Sequence, residues 1–456
     1  MNTNCSKRLF FLFTGLCLVS ASLHAEIRVG LSQVDITPPI GGLTTGYSSA
    51  RPTDGVHDPV SARVLVLESD QACVALAVCD LCIYNSPWLH DQMAAIGVDQ
   101  LLLLNTHTHA GPKLSQNDFP SPEKPWRDTV DQRLLAAIEQ AKQNMFKGYF
   151  AASKSQIQLG YNRLVQRGDF SVTHFENPER IPYGSVDRHV GVIRVTDEQQ
   201  KVRAVLVNYA CHPVVLGPRN RKISADYPGV MREIVERSFG EDCTCIFIQG
   251  AGGDINPLMM ARGDDRAKDF EVVQVMGESL AAEVQRAISF IKDTPGVSSS
   301  FASSSSATRF RNRWDADQEL ELGVTTLLIN DQIAVITLPG EPFHRFQVDF
   351  RSQTNLEHSF LFGYCCNGPY KWPSYLPDLL SAARGGYGAS DTTVAEVGAG
   401  ERLVNAGLVQ LLTLQGRLKS APQRHTFDSD SPRQLSPRRV PRPNAPRVLA
   451  EGHRSP

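Results

Sequence analysis

The chain has 456 residues, 41% hydrophobic and 21% charged, an ordinary balance for a soluble globular protein. A formal net charge of −2 argues against general nucleic-acid binding and says little about substrate charge. Lys7 and Arg8 precede an apolar run at 9–19, and Ala25 offers a small residue for cleavage. Residues 1–25 therefore read as a secretory signal peptide, which implies export to the periplasm or beyond. The apolar run is too short for a comfortable membrane span.

From there the predicted elements follow in chain order. A short strand at 27–30 runs into a Pro- and Gly-marked turn. Strands at 63–67 and 73–78 flank the polar turn 68–71, and 101–104 is short and apolar enough for a buried strand. Residues 130–145 have helical spacing, and 170–181 reads as a polar loop. A hairpin covers 190–195 and 202–208, and a helix spans 228–239 with Asp226 near its start as a cap. A strand at 245–250 and a long helix at 270–291 come next. The serine run 298–306 suggests a loop or an edge. A second hairpin, 322–329 and 333–338, turns at Asn330-Asp331, and helices at 343–351 and 401–415 follow. No linker interrupts this series, so 26–418 is expected to be one large catalytic domain. Its expected fold class is α/β, with mixed β-sheets flanked by helices and a metal site at strand ends. Residues 419–456 alternate Pro and Arg with little to bury and read as a disordered tail. Of the ten cysteines, Cys5 and Cys17 fall in the leader. The other eight read as buried free thiols or one disulfide.

Four apolar segments end at polar turns. Residues 101–105 lead to His107-Thr108-His109, and 204–210 lead to Cys211-His212-Pro213. Residues 245–250 lead to Gly252-Gly253-Asp254, and 333–338 lead to Gly340-Glu341. Open α/β sheets carry their chemistry at the carboxyl ends of strands. Two or three histidines and a glutamate from separate strand ends suit a hydrolytic zinc ion. In extended backbone His107 and His109 would share a face, so both could meet one ion. Either histidine could instead be a plain core or surface residue. Asp226 is either a helix cap alone or a partner that orients a metal-binding imidazole. The glycine-rich turn 249–257 could present backbone N–H groups to an oxyanion, or be only a tight turn. It lacks the Lys-Ser/Thr pair of a P-loop.

In this order the motifs resemble the neutral, non-lysosomal ceramidase family over most of residues 27–415. The resemblance lies in Asp35-Ile36-Thr37-Pro38-Pro39, in Asn105–Pro112, in Asn208-Tyr209 with His212-Pro213, and in Ser224–Gly229. The Gly253-Asp254 turn and Pro339-Gly340-Glu341 complete it. It implies a zinc amidohydrolase in which His107, His212, Glu341 and Tyr375 hold one zinc ion. His109 would face the scissile amide, and Arg163 and Tyr387 would border the reacting carbonyl. Two departures stand out. Ceramidases of the family carry serine where this chain has Asn256, so a serine nucleophile is unavailable there, although an asparagine amide can still donate to an oxyanion. The family's full length adds a C-terminal β-sandwich domain, where this chain has the Pro/Arg tail.

The expected reaction is hydrolysis of the N-acyl amide of ceramide-like lipids to sphingoid base and fatty acid by a zinc-activated water. The expected partners are a lipid or small-molecule substrate and peripheral membrane contact, with no nucleic acid. Two alternatives stay open on the same residues: a zinc hydrolase for another amide, ester or glycoside, and a non-catalytic lipid- or glycan-binding protein.

Overall fold

The computed structural model describes residues 26–48, 51–261, 265–292 and 300–418. The expected signal peptide at 1–25 and the expected disordered tail at 419–456 lie outside the described residues. The described residues up to Arg417 form one unit.

Three mixed sheets organise this unit. One has six strands in the order Cys365–Cys366, Gln100–Asn105, Cys73–Cys79, Ser61–Glu68, Arg28–Asp35, Phe146–Lys147. The second runs Thr244–Gln249, Val202–Tyr209, His189–Thr196, Tyr149–Gln156. The third runs Phe301–Arg311, Glu319–Ile329, Ile333–Thr337, His358–Phe362. Leu65, Leu76, Leu102, Leu206, Ile248, Leu327, Val335 and Phe360 share one core between the sheets. The alternate residues turn outward under helices. Val64, Ala75 and Leu103 meet the helix Trp126–Gln143. Val205 and Phe247 meet Tyr227–Phe239 and Arg266–Ser289. Val324 and Ile336 meet His344–Thr354 and Ala399–Leu414. Both faces of the central strands are therefore covered, which is why they read as continuous apolar runs and not as alternating ones.

Each sheet contains one parallel pair joined across a helix. The pairs are Cys73–Cys79 with Gln100–Asn105, Val202–Tyr209 with Thr244–Gln249, and Ile333–Thr337 with His358–Phe362. The connecting helices are Pro87–Gln92, Tyr227–Phe239 and His344–Thr354. Parallel strands cannot be joined by a tight hairpin, so each unit turns all its carboxyl ends to one rim. Backbone bonds stitch the three rims together. Asn105 N donates to Tyr364 O, Gly363 N to Gln249 O, Gly253 N to Pro342 O and Ser224 N to Ala110 O.

Most sequence expectations hold within a few residues. The first strand runs on to Asp35, past its expected end at Gly30, and the chain turns among the prolines and glycines that follow. The expected loop at 170–181 begins with the strand Phe170–Thr173, paired with Leu164–Arg167. From Phe301 on, the serine run lies in the edge strand Phe301–Arg311. The eight cysteines outside the leader are buried and free. Among the described residues, no helix is long and apolar enough to cross a membrane.

Candidate metal centre

The rim brings the separate strand ends to one point. His107, His212 and Glu341 are each 5% exposed or less, and their ligand atoms lie within 4.8 Å of one another. His107 follows Gln100–Asn105 in a left-handed conformation, φ 69°, and not in the extended backbone expected for a His-x-His strand. Such a conformation in a bulky residue costs of order 1–3 kcal/mol and collects at functional sites. It still brings His109 Nε2 to 3.2 Å from His107 Nε2, through a turn and not through a pleat. Glu341 is placed by a short parallel pair in which it stands opposite Tyr375. Gly340 beside it has φ 67°, and a Cβ there would meet Ser374 O at 2.3 Å, so only glycine fits.

The outer nitrogen of each ligand imidazole is committed. His107 Nδ1 faces Cys82 O at 2.7 Å, and His212 Nδ1 faces Gly252 O at 2.7 Å. A carbonyl only accepts, so both Nδ1 atoms carry hydrogen and a neutral ring keeps its lone pair on Nε2. Both Nε2 atoms then point at the same carboxylate oxygen, Glu341 Oε2, at 3.3 and 3.2 Å. Lone pairs facing a buried carboxylate repel unless a cation stands between them. A metal fits this donor set, and the backbone carbonyls orient the rings as partners of ligands usually do. Without one, protons substitute. Burial opposes charge on His107, but Cys82 and Glu341 outweigh it and raise its pKa well above the usual value. Burial depresses His212 to about 4, against its hydrogen bond with Glu341. Burial also opposes charge on Glu341, but His107 and His212 hold it well below the carboxylate range. His109 is held well below its usual value by burial and by His107 and His212.

Around this centre lies a cationic and aromatic wall. Arg163 is 4% exposed and donates to Gly253 O at 2.6 Å and to Asn256 Oδ1 at 3.2 Å. Its guanidinium carbon lies 5.2 Å from the ring centroids of both Tyr375 and Tyr387. Burial pushes the Tyr375 phenol well above its usual value, against the pull of Arg163. Asn256 is thus committed to Arg163, and its amide reaches Phe175 O at 3.5 Å. The glycine turn serves the centre through carbonyls: Gly252 N and Gly253 N are spent on Gly250 O and Pro342 O. Asp226 is a cap, accepting from Tyr227 N and Leu216 N at 2.7 and 3.3 Å, while Gly252 O orients His212 in its place.

Two neighbours escaped the sequence. Cys82 Sγ lies 3.6 Å from His107 Nδ1 and forms a second possible donor group with His107 and His109. Tyr364, buried at φ 55°, sets its ring 4.5 Å from His107, and its hydroxyl has no protein partner. His109 Nδ1 and Arg163 Nε are also buried without protein partners. Each such orphan costs about 1–3 kcal/mol, so three around one centre mark a place for a polar ligand.

The family model described as neutral/alkaline non-lysosomal ceramidase, N-terminal, matches residues 27–289. A curated neutral ceramidase from Drosophila melanogaster is 22% identical over 280 residues, covering 56% of this chain and 39% of that protein. One from Drosophila pseudoobscura pseudoobscura is 22% identical over 272 residues, covering 54% and 38%. The match spans about two fifths of the length of these relatives. A crystal structure of neutral ceramidase from Pseudomonas aeruginosa superposes with a TM-score of 0.68 at 16% identity, covering 87% of this chain and 76% of that one. With the family model spanning over half of its length and this fold shared, the chain belongs to the neutral/alkaline non-lysosomal ceramidase family.

Proposed function

We propose that the chain is an exported, zinc-dependent amidohydrolase that cleaves the N-acyl amide of ceramide-like lipids. The observation that carries this reading is the convergence of two imidazole Nε2 atoms on Glu341 Oε2. His107, His212 and Glu341 would hold the ion, with the Tyr375 phenol beside Glu341 as fourth donor. When bound, zinc polarises a carbonyl and lowers the pKa of a coordinated water to about 7. The remaining work falls to the chain's own groups. Arg163, steadied by Gly253 and Asn256, offers fixed positive charge to the developing oxyanion, with Tyr387 stacked beside it. His109, held neutral, takes a proton from the attacking water and delivers it to the leaving amine. Asn256 acts through Arg163 and leaves the route without a serine nucleophile.

The test is bound metal and turnover measured on one preparation. The full chain should carry one equivalent of zinc and release fatty acid from fluorescent short-chain ceramide, and a chelator should abolish that release. Zinc without ceramide turnover would favour a second reading, an amidase or esterase for another acyl substrate, which Asn256 at the family's serine position supports. A chain that binds no zinc would end both readings.

A further inference from the structure

The Gly252–Asp254 turn has a second face. Gly252 O and Gly253 O serve His212 and Arg163, whereas the Asp254 side chain points to the opposite side. There Asp254 Oδ2 lies 2.6 Å from His344 Nδ1, and His344 Nε2 lies 3.0 Å from Ser185 Oγ. Asp254 is wholly buried and its pKa is lowered, because His344 outweighs the cost of burial, so it is a carboxylate that only accepts. His344 Nδ1 therefore carries hydrogen, and in the neutral ring Nε2 presents its lone pair to the serine hydroxyl. That is the arrangement in which an imidazole can remove a serine proton. Burial opposes charge on His344, but Asp254 outweighs it and raises the imidazole's pKa, which favours its taking up a proton.

Each member is held. Asp254 also accepts from Asn162 Nδ2 at 2.7 Å and from His344 N at 2.9 Å. His344 opens the helix His344–Thr354 and is 8% exposed. Ser185, by contrast, is exposed. Gly184 just before it turns at φ 64°, and a Cβ there would meet Asn162 Cβ at 2.8 Å, so glycine lets the serine loop close onto the Asn162–Asp254 pair. Ser185 and His344 line an open cavity of about 420 Å³, where Leu164, Leu379 and Leu380 stand among charged side chains such as Arg345, Asp349 and Asp378. Its lining contains none of His107, His212 and Glu341. A purely structural strut from Asp254 to the helix start would be complete with His344 alone. It has no use for an exposed hydroxyl on the far nitrogen at the wall of an open cavity.

We propose that Ser185, His344 and Asp254 form a second acyl-transfer centre, acting on short-chain carboxylic esters. Ser185 Oγ bonds to the acyl carbon as its proton passes to His344 Nε2. The ester C–O bond breaks, and the departing alkoxide takes that proton from His344. Water then attacks the acyl group and gives its proton to His344, and the carboxylic acid leaves as Ser185 recovers its hydrogen. The leucines give apolar contact over a small part of a lining that is otherwise polar and charged, which suits a short acyl group.

The experiment treats the full chain, before and after chelation, with a fluorophosphonate probe and maps the adduct by peptide mass spectrometry. The Ser185 Oγ–P bond should form with loss of fluoride, equally with and without chelator. His344→Gln should slow labelling by about a hundredfold or more, the usual worth of a positioned base. Chelator-resistant hydrolysis of p-nitrophenyl acetate should disappear in Ser185→Ala, whose metal content should match the parent. Because Ser185 is exposed, that variant tests the idea without threatening the fold. Absence of a Ser185 adduct, or ester hydrolysis undiminished in Ser185→Ala, overturns the proposal and leaves the metal-centre reading untouched.

Discussion

Asp80 and Glu341 are two buried carboxylates that follow strands on the same rim, yet they are answered in opposite ways. Asp80 receives both guanidinium nitrogens of Arg232, at 2.6 and 2.8 Å, and the backbone and hydroxyl of Ser61, at 2.9 and 3.1 Å. Its counter-charge is permanent and its lone pairs are spoken for. Burial would raise its pKa, but Arg232 brings it below the usual value. Glu341 faces imidazoles whose donors are turned away, so its counter-charge must come from outside. Asp226 is a third case, buried with no cation against it. Burial pushes it up to about 7, against bonds from Tyr227 and Leu216 and with help from Asp58. A buried acid is thus closed, open or neutral according to what faces it, and only the open one marks a ligand site.

The largest effect should come from the open carboxylate's partners. His107→Ala or His212→Ala should remove stoichiometric zinc and lower amide hydrolysis by roughly a thousandfold. Retention of metal and rate in either would break the distinction between open and closed. Arg232→Met, at the closed site, should instead cost about 3–5 kcal/mol of stability in denaturant melts by stranding Asp80. Metal per folded molecule should not change. Arg163→Met should lower kcat about a hundredfold, as loss of a charged oxyanion partner does, with zinc content intact.

The neutral acid gives an effect spread along the pH axis, small per pH unit and the most diagnostic. The folded-state pKa of Asp226, about 7, lies above an unfolded value of about 3.9. Between these values the folded chain holds one proton more than the unfolded chain. Its contribution to stability is therefore full below the unfolded value and falls as pH rises toward 7, by about 1.4 kcal/mol per pH unit. Asp226→Asn should flatten that limb of the stability–pH curve. An unchanged slope would mean that Asp226 is ionised and paired like Asp80.

The sequence made the scaffold legible where periodicity speaks. Apolar runs such as 101–104 and 333–338 fall in strands buried on both faces, and the turns after them carry the histidines and the glutamate. What it hid depends on contacts between distant segments. Cys82 reads as half of a CxxC, and only the parallel pairing with Gln100–Asn105 sets it beside His107. Tyr364 is one aromatic among many until the rim bonds place it under His107. His344 and Ser185 lie 159 residues apart, and neither has a local pattern. His107 itself was expected in extended backbone because alternation is the simplest account of His-x-His. The turn after Asn105, which His107 N fastens to Leu81 O, supplied a different one.

The three parallel pairs have a consequence for how the protein matures. His107 follows a strand of the first, His212 a strand of the second and Glu341 a strand of the third. No one pair offers more than one of these three donors, so a nascent chain cannot capture the ion tightly until all three have docked. Metal loading would then report completed assembly. An ion held by these three residues would bind only the finished rim and would lend its binding energy to all three pairs at once. A nick or mutation that loosens any of them should therefore be felt as metal leakage before it is felt as unfolding.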